Sequence, residues 1–303
     1  MLDVQSRAPE YGGSSQLPPS TAQTLAAIAD EPAASATVSA APSLAAPPAA
    51  PLAVPRLPGT PDLTKEGLYA FSGGGIELVV DPRRGALVRL SLDGTDALVG
   101  PGPATDGYSA ELEGSTLVLT NAAAGLTKRV RLDTARRSVE LSYTIANSAP
   151  SSLRASAADI ERVPSSTGLT FFPGAPKLLP GSTLKLNVWQ PIVWFAHEQA
   201  RDSKTVEASV ESREGWIANV HDGLVLVKVV SDAARPRISI ACAYDAATNE
   251  RPWVEIGTHT GFDLAPGGSA TTNLRLFLRR LPPSVLAKSG NQELVGFVRG
   301  VIQ

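Results

Sequence analysis

The sequence predicts an all-β protein, built as an antiparallel two-sheet sandwich and preceded by a disordered linker. Two observations lead to this fold class. From residue 67 onward, about sixteen short segments are rich in Val, Leu, Ile and Thr and alternate polar with apolar residues, which is typical of strands. Gly, Pro, Asn and Asp separate these segments, and no repeat of fixed period indicates a propeller or a solenoid.

The first sixty residues differ in composition from the rest of the chain. Ala, Pro and Ser fill 32 of the first 60 positions. Ordering a residue costs roughly 1 to 2 kcal/mol, and such small side chains bury too little apolar surface to offset that cost. We therefore predict a disordered linker over residues 1–60 and one folded domain over residues 61–303.

Turn-forming dipeptides separate several of the predicted strands. Asp93-Gly94, Glu113-Gly114 and Asp222-Gly223 favour tight hairpin turns. Near the end of the chain, residues 284–301 have a weak helical spacing of apolar residues, which predicts a short C-terminal helix. The predicted strands are, in chain order, GLYAFSG, GIELVVD, ALVRLSLDG, SAELEG, STLVLTNA, LTKRVRLD, SVELSYTIAN, LRASAADIERV, LTFFPG, LKLNVW, VEASVES, WIANVHD, LVLVKVV, RISIACAYD, WVEIGTHTGFDL and ATTNLRLFLRRL.

The charge balance excludes two classes of partner. The chain has 27 Lys and Arg residues against 29 Asp and Glu, a formal net charge of −2. The part after residue 60 carries 25 acidic and 25 basic residues, and no run of Lys and Arg is longer than two. A neutral body of this kind lacks the basic surface that binds nucleic acid or an anionic membrane. We therefore expect no nucleic-acid partner.

Targeting and cysteine content give further expectations. No stretch approaches the roughly 18 to 20 continuous apolar residues of a transmembrane helix, and the N-terminus has no apolar core of the signal-peptide kind. Because long Ala/Pro linkers often tether exported domains, a periplasmic or extracellular location is expected if an export signal precedes this start. The single cysteine, Cys242, excludes an internal disulfide framework and a Cys-based metal cluster. We expect no cofactor and no metal.

Five segments of the chain resemble known sugar-handling domains. IELVVDPRRGALVRLSLDGTDAL is similar to the first strands of galactose-mutarotase-like domains, and VELSYTIANSAP is similar to the Asn-ended strand that precedes their substrate-binding segment. DIERVPSSTGLTFFPG, EGWIANVHDGLVLVKVV and WVEIGTHTGFDLAPGGSATTNLRLFLRRLP resemble most an uncharacterised bacterial branch, a domain of unknown function. The resemblance covers about residues 67–282 and implies a many-stranded β-supersandwich.

The same resemblance implies a catalytic pair, of which half is missing. In sugar mutarotases a His acts as general acid and a late Glu as general base at the anomeric hydroxyl. Glu255 stands where the late Glu is expected, yet no His occurs from Asn147 to Pro173. His259 follows Glu255 by four residues, and strand side chains alternate between two faces, so both are predicted to share a face. They form a candidate pair, although Glu255 on an alternating strand is equally compatible with a solvent-facing residue.

An aromatic segment and one lysine are candidate sugar contacts. Trp189, Trp194, Phe195, His197 and Glu198 lie close together, which predicts a loop over a binding face. Aromatic rings stack on the C–H faces of pyranose rings, and acids bind their hydroxyls. The same composition also suits a hydrophobic plug at a sandwich edge.

Lys228 lies near the end of an apolar strand, where it could meet a carboxylate or a sugar hydroxyl or simply face outwards. Trp216 is expected in the core. Asp159 and Glu161 share strand parity, so they could flank a glycosidic bond or lie together on an exposed strand.

These observations favour a carbohydrate- or polysaccharide-binding protein without established catalysis. Two alternatives stay open. The first is a sugar epimerase or polysaccharide-modifying enzyme that uses Glu255, and the second is a structural cell-envelope module without a small-molecule ligand.

Overall fold

The computed structural model describes residues 58–164, 169–173, 187–189, 192–196, 205–211, 214–231, 237–243, 253–286 and 291–303. The predicted linker lies outside the described residues as far as residue 57, so its disorder and the domain boundary near residue 60 remain predictions. For residues 187–189, 192–196, 205–211, 242–243, 286 and 291 the description covers the backbone alone.

The described part of the chain is mostly β-structure. Its elements are, in chain order, β1 (Asp62–Leu63), β2 (Tyr69–Gly73), β3 (Ile76–Asp81), β4 (Ala86–Leu92), β5 (Thr95–Asp96), β6 (Ser109–Glu113), β7 (Thr116–Asn121), β8 (Leu126–Asp133), β9 (Ser138–Ala146), β10 (Leu153–Pro164), β11 (Leu169–Pro173), β12 (Asn187–Trp189), β13 (Ile192–Ala196), β14 (Thr205–Glu211), β15 (Trp216–His221), β16 (Leu224–Val230), β17 (Arg237–Ala243), β18 (Trp253–Leu264), β19 (Ser269–Arg280), α1 (Pro283–Leu286) and α2 (Asn291–Ile302).

The predicted fold class is confirmed. Every predicted strand is present, and every strand pair in the described chain is antiparallel. The two C-terminal helices lie in the segment for which the sequence predicts one helix. In the described part of the chain, neither helix combines the length and apolar character needed to span a membrane.

The strands form three hydrogen-bonded sheets. One has five strands in the order β1-β2-β3-β4-β5, one has four in the order β10-β18-β17-β14, and the largest has ten in the order β12-β13-β11-β15-β16-β19-β9-β8-β7-β6. Strands β2 and β4 of the first sheet and β10 and β18 of the second contact the ten-stranded sheet. The sandwich therefore has one continuous layer and one layer that is divided into two sheets.

One hydrophobic core lies between the layers. It takes buried side chains from all three sheets, including Leu78, Leu90, Leu141, Ile256 and Leu276. Burial of apolar surface is worth about 25 cal/mol per Å², so this shared core is the main stabilising contribution. A second core lies on the opposite face of the ten-stranded sheet, where α2 covers Trp216, Val227 and Phe277.

The hairpin turns follow the chemistry that the sequence predicts. Asp93 and Asp222 have φ angles of 49° and 48°, and the glycines that follow them also have positive φ. A type I′ turn needs positive φ at both central residues, and Asp-Gly tolerates this at little cost. These turns set the register of β4 with β5 and of β15 with β16.

Asn147 fixes the position of β10 beside β18. The side chain is buried, and its amide nitrogen donates to the carbonyl oxygens of Ser151, Leu264 and Ala265 at 2.9, 3.1 and 3.0 Å. The turn after β9 is thereby held against the turn after β18. The Asn at the end of the predicted strand is thus a structural junction in this chain.

Candidate functional site

Strand β10 places charged side chains on two opposite sides of the four-stranded sheet. Asp159 and Glu161 point towards the shared core and are 6% and 2% exposed. Ile160 and Arg162 alternate with them and point away from the core. The molecule therefore has two candidate sites, one on each side of the strand. We call them the inner cluster (Lys128, Tyr143, Asp159, Glu161, Lys228) and the outer face (Arg162, Ser239, Trp253, Glu255, His259).

On the outer face, Glu255 is held by an arginine. Arg162 and Glu255 are register partners in β10 and β18, and Arg162 Nε donates to Glu255 Oε1 at 3.0 Å. The Arg162 guanidinium also lies over the ring of Trp253, 4.3 Å from its centroid. Cation–π stacking and the ion pair together fix the planes of both groups. The result is an aromatic ring beside an oriented guanidinium–carboxylate pair.

His259 lies on the same face as Glu255, as the strand spacing predicts. Its Nε2 is 2.7 Å from the hydroxyl oxygen of Ser239, which lies on β17. Burial, together with the positive charges of Arg237 and Lys228, lowers the pKa of His259 to about 4. The imidazole is therefore neutral near pH 7.

The geometry does not bring Glu255 and His259 to one point. Four strand residues span about 13 Å, and Gly257 lies between the two side chains. Glu255 is bonded to Arg162 on β10, whereas His259 is bonded to Ser239 on β17, the neighbour on the opposite side. An acid and a base for one anomeric centre must both come within hydrogen-bond reach of it. Their action as a pair stays a prediction.

The structure shows what occupies the region where a catalytic His is expected. That region, from Asn147 to Pro173, contains β10, the direct neighbour of β18. The residue opposite Glu255 is Arg162. A guanidinium stays protonated at all ordinary pH values, so it cannot exchange a proton with a substrate as His does.

The aromatic segment differs in part from its prediction as a loop, whereas Trp189 ends the predicted strand LKLNVW. Trp189 ends β12, and Trp194 and Phe195 lie within β13. Residues 192–196 are Ile, Val, Trp, Phe and Ala, whose bulky members favour strands, and they pair with β11 and β12 near one edge of the ten-stranded sheet. Strands β13 and β18 thus belong to different sheets.

His197 and Glu198 lie outside the described residues. The side chains of Trp189, Trp194 and Phe195 are likewise not described, so the part these residues play in binding stays a prediction.

The inner cluster is built around Lys228. This lysine is fully buried on the core-facing side of β16. Its ammonium nitrogen lies 2.7 Å from Asp159 Oδ2 and 2.5 Å from Glu161 Oε2, and it also donates to the backbone carbonyl oxygen of Asp159. The contacts with Glu161 Oε2 and the Asp159 carbonyl oxygen are hydrogen bonds, whereas the contact with Asp159 Oδ2 is an ion pair without hydrogen-bond geometry. Lys228 therefore meets carboxylates, as one prediction had it, but they belong to the protein itself.

Lys128 and Tyr143 complete the inner cluster from β8 and β9. Lys128 Nζ donates to Gly85 O at 2.9 Å and lies 3.6 Å from Asp159 Oδ1. The Tyr143 hydroxyl donates to the same carboxylate oxygen of Asp159. Five ionisable groups thus share one buried volume.

The pKa values of the inner cluster are shifted in opposite directions. Burial would raise the pKa of Asp159, but Lys228 and Lys128 outweigh this and hold it well below its usual range. Burial and the adjacent Asp159 raise the pKa of Glu161 to about 8. Burial lowers the pKa of Lys128 in spite of the two acids. The cluster therefore keeps a proton on Glu161 near neutral pH.

Sequence reasoning did not single out Lys128, Tyr143, Arg162 or Trp253. A signal for the first two is present in the alternation of their strands. Lys128 takes a position between the core residues Leu126 and Val130, and Tyr143 takes one between Leu141 and Ile145. A charged side chain on the apolar side of a strand indicates a buried partner. No comparable pattern marks Arg162.

Comparison with known proteins shows a galactose-mutarotase-like fold. A candidate aldose 1-epimerase from Escherichia coli K12 aligns with a TM-score of 0.53 and 12% identity over 71% of this chain and 99% of that one. A galactose mutarotase-like protein from Lactobacillus casei aligns with a TM-score of 0.53 and 9% identity over 70% and 100%. A protein of Synechocystis sp. PCC 6803 aligns with a TM-score of 0.55 and 11% identity over 73% and 98%.

At these identities the likeness is one of fold. No protein-family model matches the sequence, and no curated protein matches it. The galactose-mutarotase-like fold that the sequence resemblance implies is therefore confirmed. The assignment to a particular bacterial branch stays a prediction.

Proposed function

We propose that the protein binds carbohydrate on the outer face of the four-stranded sheet. The observation that carries this proposal is the arrangement of Trp253, Arg162 and Glu255, with the guanidinium 4.3 Å from the indole centroid and 3.0 Å from the carboxylate. The fold shared with galactose mutarotase-like proteins agrees with a sugar ligand.

The chemistry of these three side chains suits a sugar. An indole ring offers apolar area for the C–H face of a pyranose, and a guanidinium–carboxylate pair offers fixed donors and acceptors for hydroxyl groups. All three side chains are partly exposed, with Arg162 32% and Glu255 17% accessible. A ligand can therefore reach them without unfolding the sheet.

Binding without efficient catalysis is favoured over epimerisation. General acids and bases each contribute about 10²- to 10⁴-fold to rate. The Glu255 carboxylate is ion-paired with Arg162. His259 is neutral and hydrogen-bonded to Ser239. The epimerase alternative retains one supporting observation, since Glu255 lies on the late strand where the mutarotase-like resemblance implies the base.

A pair of matched arginine variants tests the binding site. Arg154 and Asp263 form a second cross-strand ion pair on the same face of β10 and β18, at 3.1 Å, with both side chains more than four-fifths exposed. On a glycan array followed by calorimetry, Arg162→Met and Trp253→Ala are expected to lose glycan affinity, whereas Arg154→Met keeps it. Equal binding by all variants would contradict the site, and no binding by the wild type would favour a structural module.

The same preparations separate binding from epimerisation. Polarimetric mutarotation of glucose and galactose is expected to run at the uncatalysed rate. A strong acceleration that disappears in Glu255→Gln would favour the epimerase.

A further inference from the structure

A groove crosses the part of the ten-stranded sheet that α2 leaves open. It lies on the side away from the shared core, since its side chains alternate with the core residues Val130 and Leu276. Its volume is about 330 Å³, at the lower end of the range for small-ligand sites. We call it the arginine groove, and its lining includes Arg129, Arg131, Glu140, Ser142, Asn273 and Arg275.

The register of three strands brings the charged groups of the groove into one row. Arg131 of β8 is paired with Glu140 of β9, and Glu140 is paired with Arg275 of β19. Arg131 Nε donates to Glu140 Oε2 at 2.9 Å, and Arg275 Nη2 donates to Glu140 Oε1 at 2.7 Å. The Arg275 guanidinium also packs beside Phe277, 5.7 Å from the ring centroid. Two guanidiniums are thus held in fixed positions at one carboxylate.

The contacts alone leave a positive charge in the groove. Arg131 and Arg275 share the single carboxylate of Glu140. Arg129 is paired separately with Glu113, which lies on β6 at the rim of the groove, at 2.6 Å. Guanidiniums stay protonated at ordinary pH, and protonation of either carboxylate would only add to the excess. The positive charge of the groove therefore does not depend on the pKa of any acid.

This positive charge is local to the groove. Strand alternation places three other charged residues of β6 to β9 and β19 on the same face, and none of these three lines the groove. They are Glu111, Asp133 and Arg279. With them, acidic and basic residues are equal in number over the five strands. A long polyanion such as nucleic acid would therefore meet acids at the margins, and the groove favours a short anionic ligand.

The rest of the lining favours hydroxyl groups over apolar ones. Thr116, Ser142, Ser231 and Asn273 place hydroxyls and an amide around the arginines. The two leucines of the lining are buried in the shared core. A protein partner usually anchors through aromatic or apolar side chains in pockets, and the described lining offers no such pocket. Hydrogen-bonding side chains of this kind suit the hydroxyls of a saccharide.

We propose that the arginine groove binds an acidic saccharide, with Arg131 and Arg275 as the partners of its carboxylate. Guanidiniums bind planar carboxylates through paired N–H donors, and both of these already contact a carboxylate, that of Glu140. The groove and the outer face lie on opposite layers of the sandwich. The inference therefore goes beyond the proposed carbohydrate binding and does not rest on it.

Calorimetric titration of the full chain tests the groove with trigalacturonate, its methyl ester, acetate and phosphate. The first two share their pyranose rings and differ in charge, whereas acetate and phosphate carry charge without a ring. We expect trigalacturonate to bind at least about fivefold more tightly than the other three, the upper value for one contact of a partly exposed charge. The titrations are repeated in Trp253→Ala, so that saccharide bound on the outer face does not contribute.

Two arginine variants locate the binding. Arg131→Gln and Arg275→Gln each leave Glu140 paired with the other arginine, and each is expected to reduce trigalacturonate affinity by about fivefold. Arg89→Gln is the matched control. Arg89 is as exposed as Arg131, at 46% against 48%, and it lies on the five-stranded sheet with acidic partners of its own. Arg89→Gln is expected to bind like the wild type.

A second pair of variants adds a group to the groove instead of removing one. Ser142→Glu places a negative charge beside Arg129, its register partner, whereas Ser142→Gln adds nearly the same volume without charge. We expect Ser142→Glu to bind trigalacturonate at least about fivefold more weakly than Ser142→Gln. Equal affinities of the two variants would contradict a carboxylate contact in the groove.

Three further results would overturn the proposal. They are no binding of trigalacturonate, equally tight binding of the methyl ester, acetate or phosphate, and binding by Arg131→Gln and Arg275→Gln that equals that of Arg89→Gln. Loss of trigalacturonate binding in Trp253→Ala would also overturn it, because the saccharide would then lie on the outer face. Trigalacturonate binding that persists while Arg162→Met and Trp253→Ala bind glycans like the wild type would support the groove and contradict the outer face alone.

Discussion

Charged side chains on the inward and outward sides of β10 both form ion pairs, but in different surroundings. Asp159 and Glu161 are almost fully buried and share Lys228 with no exposed partner. One residue further along, Arg162 pairs with Glu255 at the surface, with 32% and 17% of the two side chains exposed. Water can replace the partner in the second pair, but it has little access to the first.

Because of this difference, the inner ion pairs should matter mainly for stability and the outer ion pair mainly for ligand binding. Removing one partner of a buried ion pair leaves an uncompensated charge, which costs far more than the pair itself contributes. Pairs near the surface contribute only about 0 to 1 kcal/mol. Substitutions on the inner side of β10 should therefore act on folding first, and those on the outer side should act mainly on binding.

The largest expected effect is that of Lys228→Met. The substitution keeps the length of the side chain but leaves Asp159 and Glu161 without their shared cation. We expect a loss of about 3 to 5 kcal/mol in the free energy of unfolding, measured by urea denaturation. Arg154→Met, which breaks an exposed pair, is the control. A loss below about 1 kcal/mol would mean that water reaches the inner cluster. The inner and outer ion pairs of β10 would then not differ in the way described.

Two tryptophans extend the comparison to apolar side chains. Trp216 is fully buried and packs edge-on against Phe171, with 5.8 Å between the ring centroids. Trp253 is partly exposed on the outer face. Trp216→Ala is expected to cost about 3 to 5 kcal/mol in chemical denaturation. Trp253→Ala should cost clearly less stability and lose glycan affinity. The reverse order would place Trp253 in a structural role and remove the main support for the outer face.

The pH dependence of stability isolates Glu161. Its pKa rises from 4.5 to about 8 on folding, so between these values the folded state binds a proton that the unfolded state lacks. Stability attributable to Glu161 therefore falls as pH rises through that window, by at most about 1.4 kcal/mol per pH unit. His259, whose pKa falls from 6.5 to about 4, contributes the opposite trend below pH 6.5.

Urea denaturation between pH 6.5 and about 8 is the informative range when the wild type is compared with Glu161→Gln, because the residual contribution of His259 is the same in both proteins. The wild type is expected to lose stability relative to Glu161→Gln across this interval. Parallel curves for the two proteins would show that Glu161 is ionised throughout.

The smallest expected effect is that of the outer pair on folding. Glu255→Gln keeps the shape of the side chain and a hydrogen-bond acceptor for Arg162. We expect a change within about 1 kcal/mol in the free energy of unfolding. A loss comparable to that of Lys228→Met would show that the outer pair is as structural as the inner one.

Local chemistry explains which features the sequence could predict. The Asp-Gly turns and the alternating strands depend on neighbouring residues, and both are present as predicted. The shared face of Glu255 and His259 follows from strand geometry alone. The burial of Trp216 was also predicted correctly.

The inner cluster could not be predicted from the sequence, for a different reason. Its members come from β8, β9, β10 and β16, and their meeting depends on how two layers align across the core. Each strand has a polar residue at an apolar position, but the sequence of one strand does not identify the charged residue on another strand that it contacts. The aromatic strand β13 was missed because Pro191, which precedes it, and the polar residues that follow it, His197 and Glu198, favour a loop.

The place of β19 in the ten-stranded sheet has a consequence for synthesis of the chain. It lies between β9 and β16, although it is the last strand in the sequence. A growing chain therefore completes two groups of this sheet, β6 to β9 and β11, β12, β13, β15 and β16, whose facing edges remain unpaired until residues 269–280 emerge. Unpaired edges can join other chains, and pairing over such long sequence separations is slow. The interval before β19 emerges is thus when a nascent molecule is most exposed to aggregation.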